Sequence, residues 1–294
     1  MIGKVLSKYN KGKFGLVEEQ QKERPVGKEM TLAEHLAELK VRLTRILITI
    51  GIIALISFLF GIQEFDLGET KVYLPYPSVF NNIASAVVLK LKTDLLPSYV
   101  DIIQTSPAQA VIAQLYVAIF LGILVGMPII VRETWAFISP ALYPHEKKTI
   151  VSLVIPISLL FALGVAFSYV FVTPVGIDFL YRYGIAMGVT TFVTIEDFIS
   201  FILIFLVAMG LAFQLPVIMW TTTKLGVVNS DFWKENFRYA VAGMVIFGAV
   251  VTPDGSGITM WLVAGPMIAL YAGAYILIKK KFPSRPKQVK QEES

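Results

Sequence analysis

The 294-residue chain contains no cysteine and only two histidines, and just 16% of its residues are charged. The missing thiols exclude disulfides, thiolate metal sites and a cysteine nucleophile. With His35 and His145 far apart and no HExxH, zinc chemistry has no ligand set to work with. No P-loop and no GxGxxG occurs, and no serine stands in a histidine–acid arrangement, so no catalytic constellation is legible and no cofactor is expected. A soluble domain carries about 25% charged residues, well above this chain. What fills the space is apolar: 55% hydrophobic residues and a mean hydropathy of +0.68. Disordered chains are polar and poor in aromatics; this one is 12% aromatic. The class left standing is an all-α polytopic membrane protein.

A helix needs about 20 mostly apolar residues to cross the hydrocarbon core. Val111–Val131, Ile150–Val172, Phe198–Trp220 and Ile258–Ile278 meet this without a charge. Ile46–Phe60 is shorter, and Arg42 and Arg45 extend it by snorkelling. Ala240–Val251 is shorter still, yet the Thr252–Gly257 turn ties it to the last span, and a partial excursion would leave backbone amides unpaired in lipid. The expectation is six transmembrane helices, the last two short or tilted. Of the 26 Lys and Arg residues, 22 fall on the side holding both termini, which by the positive-inside rule places those termini in the cytosol. The positive balance therefore orients the chain and does not point to nucleic acid. The organisation expected is a mobile arm over 1–28, a membrane domain over 29–280 and a polar tail over 281–294. In the long outer loop, Gly61–Ala110, the stretch Val79–Lys92 has the pattern of a short amphipathic surface helix.

Four polar features stand out. Thr31 and Glu34 have capping-box spacing at the start of the first helix. There Leu32, Leu36, Leu39 and Leu43 form one stripe and Glu34, Glu38, Arg42 and Arg45 another. This is either an interfacial helix or one presenting Glu38 as a fixed negative charge. In the first inner loop, Trp135 to Lys148, Glu146 opens a helix, where the dipole stabilises it and a guanidinium can bind it bidentately. Gln214 lies mid-span beside Pro216, either bonded to a neighbouring helix or lining a polar notch. Gln114 has the same ambiguity. Asp254 is the only charge in the last outer turn.

Taken together these segments resemble a known family. His35 to Leu43 is similar to the HLxELRxRL signature of the TatC family, the receptor subunit of the twin-arginine protein translocase. Trp135 to Lys148 resembles its WxFxxPgLyxxE loop, Phe213-Gln214-Leu215-Pro216 its fourth-span element, and Val251-Thr252-Pro253-Asp254 its TPxD turn. The resemblance runs from about Thr31 to Lys280. It implies a non-enzymatic receptor in the cytoplasmic membrane that binds twin-arginine signal peptides of folded precursors, works with single-span TatA/TatB-type subunits, draws on the proton gradient and assembles with copies of itself among membrane lipid. It implies that Glu38 and Glu146 take the arginine pair, with Leu36, Phe137 and Lys40 on the recognition surface, and that Gln214 and Pro216 meet a partner or the signal peptide within the membrane. Pro140 and Asp254 fall in the family's structural loops. Lys40 stands where arginine is usual and Gln214 where glutamate is common, and the long outer loop points to an archaeal source. The competing reading is a small-solute secondary transporter in which Gln114 and Gln214 line a midplane site.

Overall fold

The computed structural model describes residues 31–66, 71–138, 153–252 and 257–283. The expected arm, 1–28, lies outside these, as does the tail beyond Pro283. The first span is helix α1 (Leu32–Leu59). Its start is fixed by the anticipated capping box: the Thr31 amide donates to Glu34 Oε2 at 2.9 Å and the Glu34 amide to Thr31 Oγ1 at 3.3 Å. A hairpin follows, β1 (Phe60–Asp66) with β2 (Lys71–Pro77), then α2 (Ile83–Leu95) and the short strand β3 (Asp101–Ile103). The second span is α3 (Gln109–Ile138). The third is α4 (Val154–Phe167), a π-helical turn over Ser168–Val172, and α5 (Thr173–Ala186). Strand β4 (Phe192–Thr194) pairs parallel with β3 and leads into the fourth span, α6 (Ile195–Ala212) and α7 (Leu215–Lys224). Short α8 (Ser230–Glu235) precedes α9 (Phe237–Val251) and α10 (Ile258–Lys281).

Five of these spans are long and apolar enough to cross a membrane, and α9, at 15 residues, is the shorter sixth. Only 11% to 44% of each long span's most apolar stretch is buried in the protein. The remainder is apolar side chain facing outward, as at Ile48, Leu55, Ile155, Leu159, Ile276 and Leu277, which is stable only against lipid.

Helix α6 is the centre of the bundle. Phe198, Ile199, Ile202, Phe205 and Met209 are all essentially inaccessible. Its crossing with α4 is built on two glycines. A Cβ on Gly164 would lie 2.5 Å from the Met209 carbonyl oxygen, and one on Gly210 2.7 Å from the Phe161 ring. Small residues at such crossings let backbones approach, and packing supplies the association energy that hydrophobicity cannot supply in lipid.

Two spans are interrupted, each at a proline. Pro174 has no N–H, and its ring crowds the carbonyl four residues back. The helix widens there into the π turn, with the Thr173 amide donating to Ser168 O and the buried Ser168 and Thr173 hydroxyls 3.2 Å apart. The span thereby continues to Ala186, well beyond Val172. At Pro216 the fourth span breaks outright. The Gln214 amide turns to Leu211 O, so Gly210 O loses its usual partner. The Gln214 side chain replaces it, Nε2 donating to Gly210 O at 3.2 Å and to Ile157 O of α4 at 3.3 Å.

The described residues of 61–110 form regular elements despite prolines at 75, 77, 97 and 107. Pro75 and Pro77 sit in β2 of a two-stranded sheet in register Phe60↔Pro77 and Gly61↔Tyr76. The surface helix expected over Val79–Lys92 is shifted to Ile83–Leu95, capped by Asn82, whose Oδ1 accepts from the Ser85 amide at 2.7 Å. It does not lie free: Ala84, Val88, Leu91 and Leu95 are buried and join the main core. Tyr169, carried by the π turn, donates to Asp94, which Lys90 also holds at 3.0 Å. These two partners, Tyr169 first, keep the Asp94 carboxyl below the usual carboxylate range. Tyr99 donates to Asp178 at 2.7 Å, and Arg182 pairs with the same carboxylate at 2.7 Å. Burial first, and this bond second, push the Tyr99 hydroxyl up.

Candidate functional site

The polar stripe of α1 faces the last turns of α3. Glu38 and Arg42 are one turn apart, and Arg42 directs two donors at a single oxygen of Glu38: Nε at 2.9 Å and Nη2 at 2.5 Å from Oε1. The usual fork-on-fork geometry uses both carboxylate oxygens. Here Oε2 is left over, buried and without a hydrogen-bond partner among the described residues.

The third guanidinium nitrogen of Arg42 points across to α3. Its Nη1 lies 3.3 Å from Glu133 Oε2, and Arg45 Nη1 lies 3.5 Å from the same oxygen. Glu133 is buried, its side chain only 6% exposed, whereas Arg45 is 61% exposed. A buried carboxylate is costly unless paired, and these two arginines pair it. One helical turn toward the start of α1, His35 stacks on Phe137 with centroids 4.4 Å apart and planes 18° from parallel. Leu36 is exposed, and Lys40 projects outward.

The expected residues are thus partly brought together. Glu38 and Phe137 lie at the same end of the α1–α3 pair, Phe137 stacked on His35, with Leu36 and Lys40 on its exposed side. Glu146, Pro140 and Asp254 lie outside the described residues. Gln214 sits at the break of the fourth span, with Pro216 in the first turn of α7. Its Nε2 is used twice, while its Oε1 is buried with no partner among the described residues. Gln114 does not join it: near the start of α3, its Oε1 lies 3.4 Å from Asn82 Nδ2. Gln214 bonds near the start of α4. Consecutive spans run in opposite directions, so the two amides lie toward opposite ends of the bundle.

Sequence reasoning missed Glu133. It stands in an ordinary-looking Arg132-Glu133-Thr134 at a helix end. Its one distinguishing signal, two arginines at helical spacing on α1, acquires meaning only once α1 and α3 are docked in register.

Within the membrane layer, α3, α6 and α9 enclose an open groove of about 480 Å³. Its walls are almost wholly apolar, with Phe120, Ile123, Leu203, Val207, Leu211 and Phe247 prominent. Ile123 is ten residues from Glu133 on the same helix, or about 15 Å at the α-helical rise.

Comparison with known proteins identifies the family to which this bundle is similar. A family model described as Sec-independent protein translocase protein (TatC) matches residues 34–266. The chain is 43% identical over 253 residues to the Sec-independent protein translocase protein TatC of Cenarchaeum symbiosum, covering 86% of this chain and 96% of that one. It is 32% identical over 245 residues to the TatC of Aquifex aeolicus, covering 82% and 92%. A crystal structure of a twin-arginine translocase receptor, TatC, superimposes with a TM-score of 0.67 at 29% identity, covering 84% of this chain and 99% of that one. The six-span bundle, the matched family model and these relatives lead to one conclusion: the chain belongs to the TatC family and is a multi-pass membrane component of the Sec-independent protein translocase.

Proposed function

We propose that this chain is the signal-peptide receptor of its translocase, taking the paired arginines of a folded precursor's signal peptide at Glu38 on the cytosolic side of the cell membrane. The observation that carries this is Glu38 Oε2, buried and without a hydrogen-bond partner among the described residues. A buried carboxylate oxygen is stabilised by a charged donor, and a guanidinium fork is a ligand that fits it. Arginine suits the site better than lysine because its donors are planar and paired. Glu146, from the first inner loop, is the second acid of the pair. Leu36, Phe137 and Lys40 border the peptide, and the apolar groove between α3, α6 and α9 takes its hydrophobic core. The concentration of 22 of the 26 basic residues beside the termini supports cytosolic termini.

Gln214 and Pro216, where the fourth span opens, receive single-span TatA/TatB-type subunits or the peptide itself, and copies of the chain assemble in the receptor. The role is non-enzymatic, with transport driven by the proton gradient. The test is binding of a labelled signal peptide to the detergent-purified chain. A twin-arginine peptide binds, its twin-lysine counterpart binds much more weakly, and charge reversal at Glu38 or Glu146 abolishes site-specific crosslinking. Equal binding of both peptides, or crosslinking untouched by Glu38→Lys, sinks the assignment.

A further inference from the structure

Arg42 already occupies the seat that an incoming arginine would need. It is not fully committed to that seat: two of its nitrogens contact one oxygen of Glu38, while Nη1 reaches Glu133 at 3.3 Å. We infer that Arg42 is a resident placeholder and that Glu133 is the positioning residue that draws it aside. This rests on the reading of Glu38 as an arginine receptor. When a peptide guanidinium engages Glu38, Arg42 transfers to Glu133, and Arg45 is released to solvent.

Three features of the geometry support the exchange. The first is that Arg42 spans both carboxylates, so its transfer needs a swing of the side chain and no movement of either helix. The second is charge. Among the described residues the resting cluster holds two carboxylates and two arginines; a third guanidinium adds a surplus of one positive charge to these. Arg45 is the member already mostly in water and bound by the longest contact, 3.5 Å, so it leaves at least cost. The third is burial. Glu133 is enclosed and cannot be left bare, so it retains one arginine throughout. Before binding it shares two, and afterwards it holds Arg42 fully. The placeholder also explains how Glu38 is kept from being an uncompensated charge at the membrane surface while no peptide is bound. A ligand offering a single weakly held cation would have to displace Arg42 without matching its fork, so the exchange adds discrimination against lysine.

The exchange predicts a sign pattern that a purely structural Glu133 would not produce. The measurement is the Kd of a labelled twin-arginine signal peptide for the full-length, detergent-purified protein, read by fluorescence anisotropy. Glu133→Gln removes Arg42's alternative seat and weakens binding about tenfold. Arg42→Gln vacates Glu38 and tightens binding by a similar factor. In the double variant, Glu133→Gln has no further effect, because there is no Arg42 left to draw aside. Weakening of equal size in both backgrounds, or weaker binding in Arg42→Gln alone, overturns the inference. Where Glu133→Gln does not fold, Glu133→Asp keeps the charge but withdraws it from Arg42 and is read in the same way. Glu38→Gln is the separating control. If it binds as the parent does, the receptor reading itself fails; if it loses binding while the Glu133 effects are additive, only the placeholder fails.

Discussion

The two ends of the bundle handle polar groups in opposite ways. At the end bearing α2, the hairpin and the β3–β4 pair, carboxylates are tied off. Asp94 accepts from Tyr169 and Lys90, Asp178 from Tyr99 and Arg182, and Asn82 caps α2 while holding Gln114. At the end bearing Glu38, the contacts of the two arginines converge on one oxygen of each carboxylate, and Glu38 Oε2 has no partner among the described residues. The bonded carboxylates of the first end clamp its helices, although the Thr191 hydroxyl beside β4 is buried without a partner among the described residues. The second end is the one at which the proposed function places a ligand. The contrast is between carboxylates bonded on both sides and a carboxylate bonded through one oxygen.

The sharpest way to break it is Glu38→Gln. The open end should lose twin-arginine peptide affinity roughly a hundredfold, about 2.7 kcal/mol, for the loss of a charge-assisted bond, while thermal unfolding in detergent stays close to the parent's. Next in size is the core between the two ends. Gly164→Val places atoms against Met209 O and should cost about 1–3 kcal/mol by overpacking, read as a lower unfolding temperature. A parental melt would show that the α4–α6 crossing is loose. Third is Gln214→Leu, which removes the donor shared by Gly210 O and Ile157 O. A membrane-buried bond of this kind is worth about 0.6 kcal/mol on average, so a small drop in stability is expected.

The smallest effect lies at the closed end. Asp94→Asn should leave peptide binding unchanged and alter only the acid limb of stability. The folded-state value of Asp94 is lowered. Its contribution is therefore complete above the ordinary carboxylate range and lost only as pH falls through the lowered value. The parent should hold its melting temperature into mild acid and then decline, and the variant should show less of that decline. A pH-independent difference between the two would remove the carboxylate from the account of the clamp.

The spans were legible because lipid imposes a length and an apolar composition on every crossing segment, and the capping box because its residues are three apart in sequence. Glu38 was legible for a similar reason, lying in a local pattern. What escaped was set by contacts between distant segments. The third span continues to Ala186 because a π turn absorbs Pro174, whose neighbours read as a loop. The hairpin of 60–77 has prolines that suit an edge strand as well as a coil. The register of α1 on α3 decides whether Glu133 meets two arginines or lipid, and no residue of either helix states that register alone. Gln214 was recognisable as a polar exception, but its task of rescuing Gly210 O follows from the break at Pro216.

The division of the arginine cluster between two spans also has a consequence for how the protein is made. Glu38 and Arg42 belong to one helix, so their pairing requires only that α1 form. Glu133 has no such companion on α3. It must wait for α1 to dock beside it, and the pairing with Arg42 and Arg45 then closes only if the two helices meet in the correct register. A pair of spans docked out of register would leave the Glu133 carboxylate without Arg42 and Arg45, so the same contacts that shape the site also favour one register of α1 on α3.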